Sequence, residues 1–132
     1  MFADDFLSDE ELLKQRPEVV FDSSRALPAE KFQGETLRPI LKLRNEWLLG
    51  QMRSYLAQRH PGFAGFTPAA QLEVIEKAVK SNSKFRDVLT QGVFALMTKA
   101  EKEFVQTHRK DVAGRLSQLL IQRFVSQRGK LL

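Results

Sequence analysis

Apolar residues recur at helical spacing along most of this chain, in segments separated by capping residues and prolines. At about 100° per residue, one stripe of residues 36–60 collects Leu37, Leu41, Leu48, Met52 and Tyr55. The stripe of residues 98–127 collects Val105, Val112, Leu116, Leu119 and Leu120. Alternating apolar and polar residues, as in a half-buried strand, form no run of any length. The chain is therefore predicted to be all-α, an antiparallel bundle of about five helices with an N-terminal arm.

Capping residues and prolines set the expected helix ends. Ser8 and Thr67 have the side chains that N-caps require, and Thr98 with Glu101 matches the capping box. The predicted helices are 9–17, 28–34 (interrupted by Gly34), 36–60 (with Pro39 in its first turn), 67–80, 84–97 and 98–127. The second half of 84–97 is apolar nearly all round, which predicts that this helix fills the middle of the bundle, while the two long helices pack beside each other. Gly92 on its apolar face predicts a close approach by another helix.

Charge divides the chain into an acidic arm and a basic end. We predict that residues 1–26 form an acidic helix and an extended connector, and that residues 27–132 form the bundle. Residues 1–11 carry five acids and no base, whereas residues 108–132 carry six bases and one acid. Such a basic end is typical of proteins that bind nucleic acid or an acidic partner. Alternatively, the acidic arm offsets the basic helix within the fold or across a dimer.

Composition bears on compartment and chemistry. The 132 residues contain no cysteine, which excludes disulfides, thiolate nucleophiles and cysteine-based zinc sites. The N-terminus is acidic and lacks the basic and apolar regions of a signal peptide. No run approaches the roughly eighteen apolar residues of a membrane span. These features predict a cytoplasmic protein without a membrane segment.

Three segments resemble a family of small all-helical bacterial proteins of unknown function. The segments are 35–45 (ETLRPILKLRN), 85–92 (FRDVLTQG) and 115–123 (RLSQLLIQR), and the resemblance spans about residues 30–125. It implies a helical fold and no mechanism. Members are sometimes labelled glyoxalase, but glyoxalases resemble βαβββ modules with metal ligands on strands, and this chain has only His60 and His108 as histidines.

Two arginines project onto apolar stripes, where surface helices do not place a charge. Arg44 lies between Leu41 and Leu48, and Arg123 lies one turn after Leu119. Either each arginine forms a structural ion pair or reaches water past a buried stem, or it lines a pocket or interface for an anionic group. The candidate carboxylates for Arg44 are Glu101, Asp111, Glu73 and Glu76. A buried pair would make Arg44→Ala cost about 3–5 kcal/mol.

His108 lies at the rim of the last helix's stripe, with Asp111 and Arg115 three and seven residues later. A histidine beside an acid is typical of general-base catalysis, but a packed, hydrogen-bonded histidine is the commoner arrangement. We therefore retain His108 and Arg115 as binding candidates beside Arg44 and Arg123, and predict no catalytic residue, metal site or cofactor.

The sequence predicts a non-catalytic interaction or regulatory module that binds a protein partner or a second copy of itself. One alternative is weak nucleic-acid binding through the basic C-terminal helix. Another is a small-molecule binder or enzyme with Arg44 or His108 in a pocket.

Overall fold

The computed structural model describes residues 8–19 and 27–132, which are mostly helical and contain no strand. The helices are α1 (Asp9–Lys14), α2 (Pro28–Phe32), α3 (Arg38–Leu43), α4 (Asn45–Arg59), α5 (Pro68–Lys80), α6 (Ser83–Phe94), α7 (Lys99–Thr107) and α8 (Arg109–Ser126). A π-helical turn, Gln33–Leu37, joins α2 to α3, and 3₁₀ turns cover Phe63–Gly65 and Arg128–Leu131. The all-α bundle is thereby confirmed, while the antiparallel order of its helices stays a prediction. The predicted connector lies mostly outside the described residues.

The predicted N-cap residues form hydrogen bonds with the backbone at the starts of their helices. The side chains of Ser8 and Thr67 accept hydrogen bonds from the backbone of α1 and α5 at 3.1 and 3.2 Å. At the start of α7, Thr98 accepts from the Glu101 N–H at 3.2 Å, and Glu101 accepts from the Thr98 N–H at 2.8 Å. These bonds satisfy backbone donors that a helix start leaves without intrahelical partners.

Both long helices of the prediction are interrupted, each at one of the polar residues singled out above. Arg44, with φ −90° and ψ 7°, separates α3 from α4, and His108, with φ −118° and ψ 38°, separates α7 from α8. Backbone at these angles has left the helical region. Because the projection at about 100° per residue assumes an unbroken helix, it does not hold across either residue.

The helix around Gly34 and Pro39 also differs from the prediction. Gly34 does not interrupt the helix, because it is buried within the π-helical turn. The Arg38 N–H donates to the Gln33 carbonyl, five residues back, which is the π pattern. Pro39, which has no N–H, follows in the first turn of α3 as expected.

The core is supplied mainly by α4 and α8, not by α6. Helix α4 buries Leu48, Leu49, Met52 and Leu56, and α8 buries Val112, Leu116, Leu119, Leu120 and Phe124. Helix α6 fully buries only Leu89 and Val93, and its Val88 is 46% exposed. The prediction that this helix fills the middle is therefore wrong, because its opposite face is polar. The α8 backbone lies closest to α5.

In residues 8–19 and 27–132, no helix is both long and apolar enough to cross a bilayer.

Candidate functional site

A large open groove of about 920 Å³ lies between α6 and the region around His108, where α7 ends and α8 begins. Its lining includes the apolar side chains Phe94, Val105 and Leu116. We call it the α6–α8 groove, and its other lining residues are Arg86, Asp87, Thr90, Gln91, Lys102, Gln106, Arg109, Ala113, Gly114 and Ser117. The volume is in the range of sites that hold ligands or peptide side chains.

Helix α6 presents its polar face to this groove because of its residue spacing. Arg86, Thr90 and Phe94 are four residues apart and therefore share one face, while Leu89 and Val93 turn toward the core. Arg86 is held in place because its Nη1 donates to the Lys80 carbonyl oxygen at 2.9 Å.

The charge of the α6–α8 groove is mainly positive. Arg86, Lys102 and Arg109 supply three cations, and Asp87 is the acid among the described lining residues. A groove that combines cations with apolar side chains favours a ligand that carries both carboxylates and apolar side chains.

A second, smaller cleft of about 390 Å³ lies between α3 and the end of α8. We call it the α3–α8 cleft; its lining residues are Arg38, Leu41, Leu119, Gln122, Arg123, Ser126 and Gln127. Arg123 Nη1 donates to Asn45 Oδ1 at 3.1 Å, and Asn45 and Gln127 exchange two amide hydrogen bonds of 2.8 Å. Burial, and then the charge of Arg38, lower the pKa of Arg123.

Arg44 has no carboxylate partner among the described residues, so the alternative of a buried ion pair with one of the four candidate carboxylates is wrong. Its Nε donates to the Gly92 carbonyl oxygen at 3.2 Å, and its Cζ lies 5.0 Å from the centre of the Trp47 ring. The four candidate carboxylates are paired elsewhere: Glu101 with Arg16, Asp111 with Arg115, Glu73 with Lys77 and Glu76 with Lys80.

Arg44→Ala is therefore expected to cost only about 1–2 kcal/mol of unfolding free energy, the sum of a cation–π contact and one hydrogen bond. Arg44→Met should cost less, because its stem still covers the Trp47 ring. Urea unfolding of both variants measures the loss. A loss of about 3–5 kcal/mol for Arg44→Ala would instead indicate a stranded buried charge.

His108 is a packed residue at the α7–α8 hinge. Its ring stacks on Phe104 with centroids 4.0 Å apart, and Phe104 stacks on Phe32 at 4.5 Å. Nδ1 lies 3.2 Å from the Phe104 carbonyl oxygen, which can only accept, so Nδ1 carries the proton in this contact. Its carboxylate neighbour in sequence, Asp111, pairs with Arg115.

Arg115 also joins α8 to the π-helical turn. Its Nε donates to Asp111 Oδ1 at 2.9 Å, and its Nη1 donates to Gln33 Oε1 at 2.9 Å. Of the four predicted binding residues, only Arg123 lines one of the two clefts described above. The geometry does not bring Arg44, His108, Arg115 and Arg123 together into one site.

None of the groove cations is among the four binding residues predicted from the sequence, and Arg16 was not predicted as the partner of Glu101. For Arg86, the available signal was its four-residue spacing from Thr90 on a helix whose other face is apolar. Arg16 had no such signal, because its partner lies 85 residues away in sequence. Its Nη1 and Nη2 donate to the two Glu101 carboxylate oxygens at 2.7 and 2.6 Å, which fastens the end of the α1 segment to α7.

In the part of the chain that the structure describes, no three His, Asp or Glu residues cluster as metal ligands would. Comparisons of the chain with models of protein families, with curated proteins and with solved structures give no match. The resemblance to small helical bacterial proteins therefore stays a prediction.

Proposed function

We propose that the protein is a non-catalytic interaction module that binds an acidic, partly apolar peptide segment of a partner protein in the α6–α8 groove. The observation that carries this proposal is the combination of the cations Arg86 and Arg109 with apolar side chains in one groove of about 920 Å³. A bound segment would place carboxylates against Arg86 and Arg109 and apolar side chains against Phe94 and Val105.

The ionisable groups that line this groove favour binding over catalysis. They are arginine, lysine and one aspartate, and neither histidine of the chain is among the lining residues. Arginine and lysine side chains remain protonated near neutral pH and therefore serve as anion ligands more readily than as bases. The cytoplasmic location and the self-association remain predictions from the sequence.

The distribution of the C-terminal bases argues against one continuous nucleic-acid surface on α8. Arg109 lines the α6–α8 groove, whereas Arg123 lines the α3–α8 cleft about 21 Å further along the helix. Between them, Arg115 is engaged with Asp111. Nucleic-acid binding is therefore the alternative function, and the experiment described next includes a DNA duplex to detect it.

The proposal is tested with a short fluorescein-labelled peptide that alternates Glu or Asp with Leu or Phe, read by fluorescence anisotropy. Arg86→Glu and Arg109→Glu should each weaken binding about tenfold or more, because each replaces an attraction by a repulsion. The matched controls are Lys84→Glu and Lys110→Glu, which make the same charge change at exposed positions outside the groove. These controls should bind as the wild type does.

An equal loss of peptide affinity in the test and control variants would contradict binding in the groove and indicate nonspecific charge attraction. A lack of binding to the peptide would also contradict the proposal. A labelled duplex that binds more tightly than the peptide, with a steep loss of affinity as salt rises, would instead identify a nucleic-acid-binding protein.

A further inference from the structure

The α3–α8 cleft brings two arginines together without a carboxylate from the described residues. Both Arg38 and Arg123 line it, and neither forms an ion pair with an acidic side chain in residues 8–19 or 27–132. Like charges that share a cleft repel each other, and burial of Arg123 removes part of the water that would screen them. An anion in this cleft would relieve both costs.

The surroundings of Arg123 hold its guanidinium in position without neutralising it. Asn45 Oδ1 accepts from both Arg123 Nη1, at 3.1 Å, and Gln127 Nε2, at 2.8 Å. Gln127 Nε2 also donates to the Arg123 carbonyl oxygen at 3.2 Å. A neutral amide pair therefore orients the cation, and most of the five N–H donors of Arg123 are not used by Asn45.

We propose that the α3–α8 cleft is a binding site for the phosphate group of a small phosphomonoester. Two guanidinium groups match the charge of a phosphate, which is about −1.5 to −2 at pH 7, better than that of one carboxylate. Ser126 and Gln122 provide further polar side chains in the lining. The volume of about 390 Å³ exceeds the space that a phosphate group needs, so an organic group fits beside Leu41 and Leu119.

This site is independent of the proposed peptide groove. It uses the opposite end of α8, and the two sets of lining residues have none in common. If the peptide failed to bind, the proposed phosphate site would be unaffected. If phosphate failed to bind, the proposed peptide groove would be unaffected.

The test measures the melting temperature and the arginine Nε–Hε NMR resonances during titration with inorganic phosphate, glycerol 3-phosphate, acetate and sodium chloride at matched ionic strength. The two phosphates should shift the Arg38 and Arg123 resonances saturably and raise the melting temperature. Tighter binding of glycerol 3-phosphate would identify the ester as the ligand, whereas equal binding would identify the free ion. Acetate and chloride should give no saturable shift.

Arg38→Gln should weaken phosphate binding about tenfold or more, since one of two charge-assisted contacts is lost. Arg38 is exposed, so this variant should fold even if Arg123→Gln disturbs the amide pair. Lys42→Gln is the control, because it removes an exposed cation from α3 that does not line the cleft. Phosphate binding by Arg38→Gln equal to the wild type, or a response to phosphate no larger than that to chloride, would overturn the site.

Discussion

Glu101→Gln is expected to lower the free energy of unfolding by about 3 kcal/mol, because it leaves the Arg16 guanidinium buried without its counter-charge. The Arg16 side chain is only 7% exposed and that of Glu101 16%. Beyond the two bonds to Glu101, Arg16 Nη2 donates to the Leu96 carbonyl oxygen at 2.9 Å. We call the ion pair between Arg16 and Glu101 the Arg16–Glu101 latch.

Glu101→Gln removes the negative charge of residue 101 but keeps its helix-capping hydrogen bond. A glutamine Oε1 can still accept from the Thr98 N–H, as Glu101 Oε1 does at 2.8 Å. Thr36 Oγ1 donates to the other carboxylate oxygen at 3.0 Å, and that contact is lost or reversed when the oxygen becomes an amide nitrogen. Arg16 Nε is already buried without a hydrogen-bond partner among the described residues, so water does not readily replace what the latch loses.

The Arg16–Glu101 latch also predicts how stability depends on pH. Burial raises the pKa of the Glu101 carboxyl, but the hydrogen bonds from Arg16, Thr98 and Thr36 and the charge of Arg16 outweigh it and hold the pKa below its ordinary 4.5. Because the folded protein binds this proton more weakly than the unfolded chain, the stabilisation is present above pH 4.5. It is lost as the pH falls through the lower, folded pKa.

Urea unfolding followed by circular dichroism at neutral and acidic pH measures both effects. The difference between wild type and Glu101→Gln should be full at neutral pH and should shrink below pH 4.5. Glu103→Gln is the control, because it makes the same change at an exposed position of α7 and should stay within about 0.5 kcal/mol of wild type. A pH-independent difference, or an equal loss in the control, would contradict the Arg16–Glu101 latch.

Gly92→Ala is expected to destabilise the protein by about 2–3 kcal/mol, although alanine is the better helix former by roughly 1 kcal/mol. A Cβ at Gly92 would clash with Trp47 Cη2 and Cζ3. The Trp47 ring cannot shift easily, because Arg44 lies over it and is itself bonded to the Gly92 carbonyl oxygen. Thermal and urea unfolding measure the loss.

Gly50→Ala is the matched control, since Gly50 is also within a helix and its Cβ would meet no atom within 4 Å. It should leave stability unchanged or raise it by up to about 1 kcal/mol. Adding Trp47→Leu to Gly92→Ala should recover part of the loss, which a double-mutant cycle quantifies. If Gly92→Ala were as stable as Gly50→Ala, the close approach of Trp47 would be refuted.

The sequence was a good guide wherever a structural feature depends on neighbours in the chain. Ser8, Thr67 and Thr98 cap their helices because an N-cap bond needs only the next three residues. The sequence indicated room at Gly92 for another helix to approach, and the ring of Trp47, a residue of α4, lies there. The helical class followed from residue spacing in the same way.

Tertiary structure decided the partners of the charged residues. Arg44 and His108 were projected onto continuous helical stripes, but each lies where a helix is interrupted. Glu101 was a plausible partner for Arg44 in sequence, yet it binds Arg16 because the fold brings residues 85 positions apart into contact. Likewise, Arg38 and Arg123 lie on separate helices, and only the packing of α3 beside α8 makes them one cleft. Local bonding therefore determined the helices and their starts, whereas contacts between distant segments determined where charge collects and what it can bind.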